Sequence, residues 1–413
     1  MNNPDVIYYP SESVREAVEN FPTPFFLYEG KRLRHNCQVF RNSFKKYFPD
    51  FWPLYAIKTN NNPEVLKIIK SEGFDADCSS ESEAWISQKL GMKGMYTGNY
   101  TTKEEFDFVK DKDLILNLDD VTMLPMMKEI GVPEILSFRI NPGVGKATEE
   151  SCVFAGPNAK YGVPFEKAPE AYRQAKELGV KHFGIHMMTG SNVPIEDVDY
   201  FSKIVDKLFD IIINIKNETG IEIEFMNIGG GFGVPYRPEK ESLDMDYVAR
   251  GIRGVFDKKI KENNLKEPRL IAEPGRWISA DMGFLVGKVH VIKDSYKKFV
   301  GIDASSNDMP RPSIYDAYHH VSVLGKDENN ETEVVSLVGR ICENSDQLAK
   351  DRELPKIDVG DYLIIHNCGG HAFTMGHNYN GRPRHAEYLL EESGHIRQIR
   401  RAETIEDLYR TII

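Results

Sequence analysis

Short apolar runs that favour β-strands alternate with longer segments of helical periodicity from about residue 24 to residue 275, and this rhythm constrains the fold most. Several of the helical segments end in glycine, as helix termini commonly do. Eight βα units in one stretch predict a closed (β/α)8 TIM-like barrel rather than an open sheet. The predicted strands cover residues 51–57, 74–78, 93–98, 114–118, 134–140, 181–187, 224–229 and 269–274. The helical segments cover 63–73, 80–91, 167–179, 198–220 and 244–264.

The pattern changes after residue 276 to β-prone runs separated by turn residues, with few long helical stretches. A chain of 413 residues is long enough for a second domain. We predict a barrel over residues 29–276 and a β-sandwich or β-barrel domain over 1–28 and 277–413. The run PFFLY at 24–28 precedes the first barrel helix and could pair with the β domain. The other β-prone runs are MGFLVGKVHVIKD, KFVGID, YHHVSVL, TEVVSLVGRIC and DYLIIHN.

Composition and charge argue against several classes of partner. The net charge is -11, and no Lys/Arg-rich stripe is interleaved with aromatic residues, which disfavours nucleic acid and anionic membranes. The first residues do not resemble a signal peptide, and no apolar run approaches the roughly 18 residues of a membrane span. We therefore expect a cytoplasmic protein with a small-molecule partner. The five scattered cysteines and the histidines of 367–390 lack metal-ligand spacing, so no metal is expected.

Lys58 directly follows the first predicted barrel strand, in the motif YAIKTN. Active sites of such barrels lie at the carboxyl ends of the strands. Taken alone, a lysine at this place is more often a solvated strand end. A lysine that is desolvated in the barrel mouth can instead lose its proton and form an imine, as pyridoxal phosphate requires.

Two further motifs end the seventh and eighth strands. IGGGFG at 228–233 brings three glycines together, and their N–H groups can converge on a phosphate; a tight turn without a ligand is the alternative. EPGR at 273–276 places Glu273 and Arg276 at the same rim. The Glu273 carboxylate can keep a pyridine nitrogen protonated, whereas the alternative is an ion pair between the two side chains.

The predicted β domain also contains segments that resemble site loops. CENSD at 342–346 joins a thiol to a carboxylate, although a lone internal cysteine is usually an inert buried residue. The tract 367–390 concentrates Gly, His, Asn and Arg, as loops that line sites often do.

With these motifs in order, the sequence resembles the fold-type III pyridoxal-phosphate decarboxylases, and within them the diaminopimelate decarboxylase branch most closely. The resemblance runs over nearly the whole chain. The residues that carry it are YAIKTN at 55–60, GFDADCSSESEA at 73–84, RINPGV at 139–144, KYGVP at 160–164, GIHMMTGS at 184–191, IGGGFG at 228–233, EPGRW at 273–277, RPSIYDAYHH at 311–320, CENSD at 342–346 and NYNGRPRHAEYLL at 378–390.

The resemblance implies pyridoxal 5'-phosphate as cofactor, with Lys58 carrying it as a Schiff base and Glu273 pairing with its pyridine nitrogen. Cys342 matches the thiol that returns a proton after carbon dioxide leaves, and Glu343 matches the residue that reads the distal amino group. The substrate would be an amino acid, and the CENSD segment would reach the site of the other subunit in a homodimer with shared active sites. The phosphate would be held by Ser191, Gly230, Gly231, Gly275 and the backbone of Arg276. Other cofactor residues would be Asp77, His186, Met188, His371 and Tyr379, and the substrate carboxylates would bind Arg276, Arg311, Tyr315 and His371.

Three positions depart from the family pattern. Met188 stands where the family usually has a histidine stacked on the cofactor ring, although His186 remains two residues earlier. His371 replaces a tyrosine that touches phosphate or substrate, and Asn344 adds an amide beside Glu343. These changes leave the reaction class in place and leave the substrate open.

The resemblance implies an amino-acid α-decarboxylase that converts meso-diaminopimelate into L-lysine. A decarboxylase of another diamino acid or of an amino-acid conjugate is the nearest alternative. A racemase on the same barrel would use a tyrosine as second base, and the CENSD motif points away from it. A non-catalytic homologue that binds pyridoxal phosphate is the remaining alternative, because of Met188 and His371.

Overall fold

The chain divides into two compact units. A computed structural model describes residues 8–145, 153–326 and 331–413. The first unit, here called the barrel unit, comprises the described residues of His35–Val234 and Ser242–Ile278. The second, called the β unit, comprises those up to Arg34 together with Pro235–Glu241 and Ser279–Ile413.

Strands and helices are numbered in chain order. The strands are β1 (Phe25–Glu29), β2 (Trp52–Ala56), β3 (Asp75–Cys78), β4 (Gly94–Tyr96), β5 (Leu114–Leu118), β6 (Ile135–Asn141), β7 (Val163–Pro164), β8 (His182–His186), β9 (Phe225–Asn227), β10 (Arg269–Ala272), β11 (Gly283–Asp294), β12 (Lys298–Ile302), β13 (Val321–Val323), β14 (Thr332–Val338), β15 (Gln347–Pro355), β16 (Tyr362–Ile365), β17 (Ala386–Leu390) and β18 (Ile396–Arg400). The helices are α1 (Ser11–Asn20), α2 (Gly30–Lys45), α3 (Pro63–Ser71), α4 (Glu81–Leu90), α5 (Lys103–Val109), α6 (Leu124–Ile130), α7 (Ala168–Leu178), α8 (Tyr200–Thr219), α9 (Met245–Asn263), α10 (Arg276–Ser279), α11 (Arg311–Tyr315) and α12 (Ile405–Tyr409).

Eight parallel strands close into a barrel in the first unit. Their order is β5-β4-β3-β2-β10-β9-β8-β6, and pairing of β5 with β6 completes the ring. Strands buried on both faces are mostly apolar, which is why most of these runs are continuous rather than alternating. Leu54, Met95, Phe225 and Ile271, from four different strands, form one core cluster. All eight predicted barrel strands and the predicted fold class are confirmed.

The helices of the barrel unit begin and end at residues suited to those positions. Asn62 caps α3 by accepting a hydrogen bond from the backbone N–H of Glu64 at 3.0 Å, and Asp244 caps α9 in the same way. Gly91 and Gly220 end α4 and α8 in the left-handed conformation. The five predicted helical segments are confirmed. Among the described residues, no helix is long and apolar enough to cross a membrane.

The β unit contains a nine-stranded sheet. Its main path is β15-β14-β12-β11-β1-β17-β18, and β16 joins β11 to β13. Strand β1, the PFFLY run, pairs antiparallel with β11 and parallel with β17, so the prediction that it joins the β domain is confirmed. The sequence pattern missed β15, β17 and β18. β15 and β18 are rich in charged residues because parts of them face solvent, and this conceals the apolar alternation.

Gly94 provides a direct test of barrel packing. A Cβ at this position would lie 1.8 Å from the carbonyl oxygen of Ala76 on the neighbouring strand. We predict that Gly94→Ala lowers the free energy of unfolding by about 3 kcal/mol, because β3 and β4 must separate. The matched control is Gly131→Ala, which shares a positive φ but meets no atom within 4 Å. Equal shifts of the urea midpoint for the two variants would contradict this account.

Candidate active site

Lys58 lies in a single helical turn, Ile57–Thr59, directly after β2. Its Nζ is 2.9 Å from Oδ2 of Asp77 and 3.3 Å from Oγ of Ser79. Asp77 is the third residue of β3, is fully buried, and also accepts a hydrogen bond from the hydroxyl of Thr97. The lysine side chain remains 47% exposed. The turn therefore presents an accessible amine whose position is fixed by a buried carboxylate.

The surrounding charges keep the Lys58 amine protonated. Protein atoms around Nζ desolvate it and lower the pKa of Lys58, although part of the side chain reaches solvent. The negative charges of Asp77, Glu273 and Glu83 outweigh this effect and raise the pKa above its ordinary value. Desolvation alone thus does not deprotonate this lysine, contrary to the simplest expectation from the sequence. Burial and the charge of Glu273 also raise the pKa of Asp77. The Asp77 carboxylate therefore holds the Lys58 ammonium in place as an ion pair at 2.9 Å.

Glu273 directly follows β10 and is only 5% exposed. Its carboxylate accepts a hydrogen bond from Nδ2 of Asn227 at 2.6 Å and lies 3.3 Å from Nε2 of His186. Because Nδ2 of Asn117 donates to Nδ1 of His186 at 3.2 Å, the ring proton sits on Nε2 and points to Glu273. Burial raises the pKa of Glu273, but His186, Lys58 and Asn227 together lower it to about 2. The carboxylate is therefore ionised.

The glycine turn after β9 packs backbone against backbone. A Cβ on Gly230 would lie 2.5 Å from the carbonyl oxygen of Glu273, and one on Gly231 would lie 2.9 Å from that of Gly190. Gly231 also has φ +92°, so a side chain there would be strained as well as crowded. The backbone N–H of Gly230 donates to Sδ of Met188 at 3.2 Å. The turn and the segment after β8 thus form a cradle with little side-chain bulk.

Ser191, Gly275 and Arg276 lie close to the same turns. Nη2 of Arg276 donates to Oγ of Ser191 at 3.3 Å, which joins the segments that follow β10 and β8. A Cβ on Gly275 would lie 2.1 Å from Oγ1 of Thr59, so the EPGR turn packs directly on the Lys58 turn. The barrel unit therefore gathers all of its predicted site residues at the carboxyl ends of β2, β3, β8, β9 and β10.

Arg311 is the first residue of α11 in the β unit and is only 2% exposed. Its guanidinium carbon lies 4.7 Å from the ring centre of Tyr236, and Nη1 lies 2.9 Å from Nε2 of His319. Nδ1 of His319 is 2.8 Å from the carbonyl oxygen of His366, so the ring proton is on Nδ1 and Nε2 accepts from Arg311. These contacts hold Arg311 in one orientation. Tyr315 ends the same short helix.

Cys342 and Glu343 are exposed on a loop that is held in place from behind. The buried carboxylate of Asp346 accepts hydrogen bonds from the backbone N–H of Ser306 at 2.7 Å and of Ile341 at 3.0 Å. Cys342 has a free thiol. The CENSD motif therefore combines a structural aspartate with two side chains that face solvent in this chain.

His371 and Tyr379 lie in the Gly- and His-rich tract of the β unit. His371 has φ +57°, an uncommon backbone conformation for a residue other than glycine. The carbonyl oxygen of Tyr379 accepts a hydrogen bond from Nδ2 of Asn307 at 3.1 Å. The next residue, Asn380, accepts one from the backbone N–H of Cys342 at 2.6 Å, so this tract directly supports the CENSD loop.

Several residues of the site were not singled out from the sequence. Asn117, Asn227 and Thr97 contact His186, Glu273 and Asp77, respectively. Arg139 on β6 is 7% exposed and donates to Oδ1 of Asn99 at 3.2 Å. The sequence signal that could have found them is a polar residue within or just after an otherwise apolar barrel strand. Such a residue must find a polar partner in the interior.

The barrel unit contains the three groups that pyridoxal phosphate requires. They are an amine at a strand end, a buried ionised carboxylate for the pyridine nitrogen, and a glycine turn that is closely packed and free of side chains. The donor set is that of an organic cofactor. In the described ranges no group of three His, Cys, Asp or Glu residues is arranged to hold a metal ion.

Comparison with known families identifies the same chemistry. Residues 34–280 match the pyridoxal binding domain of the pyridoxal-dependent decarboxylases. The chain belongs to this decarboxylase family. It is therefore a pyridoxal-phosphate-dependent carboxy-lyase, as the sequence motifs predicted, and its cofactor is pyridoxal phosphate.

Relatives of this decarboxylase match it over nearly its full length. The diaminopimelate decarboxylase of Methanothermobacter thermautotrophicus is 38% identical over 96% of this chain and 92% of the relative. Protein TabA of Pseudomonas amygdali pv. tabaci is 34% identical over 95% of this chain and 91% of the relative. The structure of diaminopimelate decarboxylase from M. jannaschii in complex with L-lysine matches with a TM-score of 0.89 at 33% identity, covering 97% and 94% of the two chains.

The low pKa of Glu273 makes its contribution to stability dependent on pH. A carboxyl whose pKa is depressed in the folded state stabilises the fold above its unfolded pKa, and this stabilisation is lost as pH falls through the folded value. We predict that Glu273→Gln lowers the unfolding free energy of the cofactor-free decarboxylase by about 2 kcal/mol near pH 7. The difference in unfolding free energy between the wild type and Glu273→Gln should shrink as pH falls from 4.5 towards 2.

Urea unfolding at several pH values measures this difference. The control is Glu222→Gln, since Glu222 is half-exposed and pairs with Lys216 on the surface. We expect the control to change stability by less than about 0.5 kcal/mol at any pH. A Glu273→Gln effect that is independent of pH would contradict the assignment of an ionised carboxylate.

Proposed function

We propose that this enzyme removes one carboxylate of meso-diaminopimelate and releases L-lysine and carbon dioxide. The observation that carries the proposal is the 38% identity to a diaminopimelate decarboxylase over 96% of the chain. The M. jannaschii neighbour, which contains L-lysine, supports it. The CENSD and RPSIYDAYHH motifs support it too, because they match segments with which that branch binds a diamino acid.

The proposed roles in the barrel unit follow from the local geometry. Lys58 would hold the cofactor through its aldehyde group, Glu273 would hold the pyridine nitrogen, and Asp77 keeps the Lys58 amine in position. The phosphate would be held by Ser191, Gly230, Gly231, Gly275 and the backbone of Arg276, and His186 and Met188 would complete the pocket. The bound cofactor would supply an electron sink for the loss of carbon dioxide from the substrate's Cα.

The proposed roles in the β unit concern the substrate. Arg311 and Tyr315, together with Arg276, bind its carboxylates, and Glu343 pairs with its distal ammonium. The thiol of Cys342 gives a proton to the carbon that has lost carbon dioxide. Overall one C–C bond breaks, one C–H bond forms, and no redox partner is needed. His371 and Tyr379 are assigned to the cofactor pocket by position in the motifs.

Carbon dioxide release and lysine formation from meso-diaminopimelate test this function. We predict that Lys58→Ala lowers kcat by about 10³-fold or more, because the amine that binds the cofactor is lost. Lys89→Ala is the matched control, since Lys89 lies on α4 and contacts the exposed Trp85. Wild-type turnover by Lys58→Ala would disprove the assignment.

A panel of amino acids separates the remaining alternatives. Carbon dioxide release from another diamino acid or a conjugate, without lysine formation from diaminopimelate, would assign a different substrate. Met188, His371 and Asn344 would then be the residues expected to set that specificity. Inversion at Cα without carbon dioxide would indicate a racemase. Bound cofactor without any turnover would indicate a non-catalytic homologue.

We further propose a homodimer in which Cys342 and Glu343 act in the partner's site. The exposure of both side chains on a loop held by Asp346 supports this, because a proton donor needs a place beside the substrate. Co-expression of Lys58→Ala and Cys342→Ala chains with different tags tests it. The purified heterodimer carries one site free of both changes, so we predict about half of wild-type activity.

The controls are the two homodimers, each expected to retain under about 1% of wild-type activity. If every site were built from a single chain, both sites of the heterodimer would carry one change. The heterodimer would then be as slow as the homodimers, and the shared-site proposal would fail.

A further inference from the structure

A cavity of about 190 Å³ in the β unit is lined by two arginines that share one tyrosine ring. The guanidinium carbons of Arg237 and Arg352 lie 4.0 and 3.5 Å from the ring centre of Tyr318. None of these three residues has a role in the cofactor or substrate assignments above. The aromatic ring therefore holds two cationic groups at the wall of an open cavity.

The charges around this cavity are not balanced. Lys350 is a third cation in the lining, and its Nζ lies 2.5 Å from Oδ1 of Asp316. Asp316 is the one carboxylate among the described lining residues; it pairs with Lys350 and also acts on Arg352, so three cations face one carboxylate. The ion pairs among the described residues include neither Arg237 nor Arg352. Glu239, two residues after Arg237, carries a further negative charge, and that charge acts on His320.

Each of the two arginines disfavours the positive charge of the other in this arrangement. Burial lowers the pKa of Arg352, and the positive charge of Arg237 lowers it further, against the opposing effects of Tyr318 and Asp316. Nη1 of Arg352 donates to the carbonyl oxygen of His319 at 3.3 Å, which fixes the group while leaving further N–H donors for a ligand. Like charges held together with too little counter-charge are stabilised by a bound anion. Paired guanidinium groups recognise oxyanions through charge-assisted hydrogen bonds.

We propose that this cavity binds a small oxyanion, a carboxylate or phosphate group, between Arg237 and Arg352 and against the Tyr318 ring. The part of the ligand inside the cavity would be small, because the cavity measures about 190 Å³. This site would be an effector or accessory site in the β unit, and it does not depend on the proposed substrate of the decarboxylase.

Calorimetric titration of the holoenzyme at constant ionic strength tests the site. The probes are inorganic phosphate and glutarate, and the bound cofactor keeps its own phosphate site filled. We expect saturable binding of at least one probe, weakened about tenfold in Arg237→Gln and in Arg352→Gln. Arg250→Gln is the matched control, since Arg250 also lies over a tyrosine ring, that of Tyr247, but outside the cavity. Arg237 is exposed, so its variant keeps the test valid if Arg352→Gln fails to fold.

The outcomes separate the two ligand chemistries and the alternatives. Binding of phosphate alone assigns a phosphate ligand, binding of glutarate alone assigns a carboxylate, and either supports the site. Equal affinity of wild type and Arg237→Gln for both probes overturns it, as does the absence of saturable binding. Weaker self-association of Arg237→Gln in sedimentation, without probe binding to wild type, would also overturn it, because a second copy would then cover the cavity.

Discussion

Closure of the barrel by the pairing of β5 with β6 is the constraint on which the catalytic arrangement depends. The eight strands are parallel, so closure brings all of their carboxyl ends into one ring. Residues that are as far apart in the chain as Lys58 and Glu273 thereby come within electrostatic reach of each other. An open sheet of the same strands would place the ends of β5 and β6 at opposite edges.

Within that ring, one ammonium and two buried carboxylates regulate each other's protonation. Glu273 is ionised because His186 and Asn227 donate to it, and its charge then helps to keep Lys58 protonated and raises the pKa of Asp77. The group of charges is stable because each buried oxygen has a donor. The same arrangement holds the lysine amine 2.9 Å from Asp77 at the carboxyl ends of the strands.

In the β unit, buried polar contacts hold two of the side chains that are expected to act on the substrate, one buried and one exposed. Arg311 is buried and oriented by His319 and Tyr236, whereas Cys342 is exposed on a loop that Asp346 and Asn380 hold. In both cases the residue expected to act is separate from the residue that positions it.

The sequence by itself determined the barrel, its eight strands and the positions of Lys58, Glu273 and the glycine turn. These follow from local periodicity and from the rule that chemistry lies at the carboxyl ends of the strands. The sequence did not reveal the partners Asn117, Asn227 and Thr97, nor β15, β17 and β18, whose composition is set by neighbours distant in the chain. Only the tertiary structure decided that Lys58 is protonated and Glu273 ionised, because a pKa depends on burial and on charges that closure of the barrel brings together.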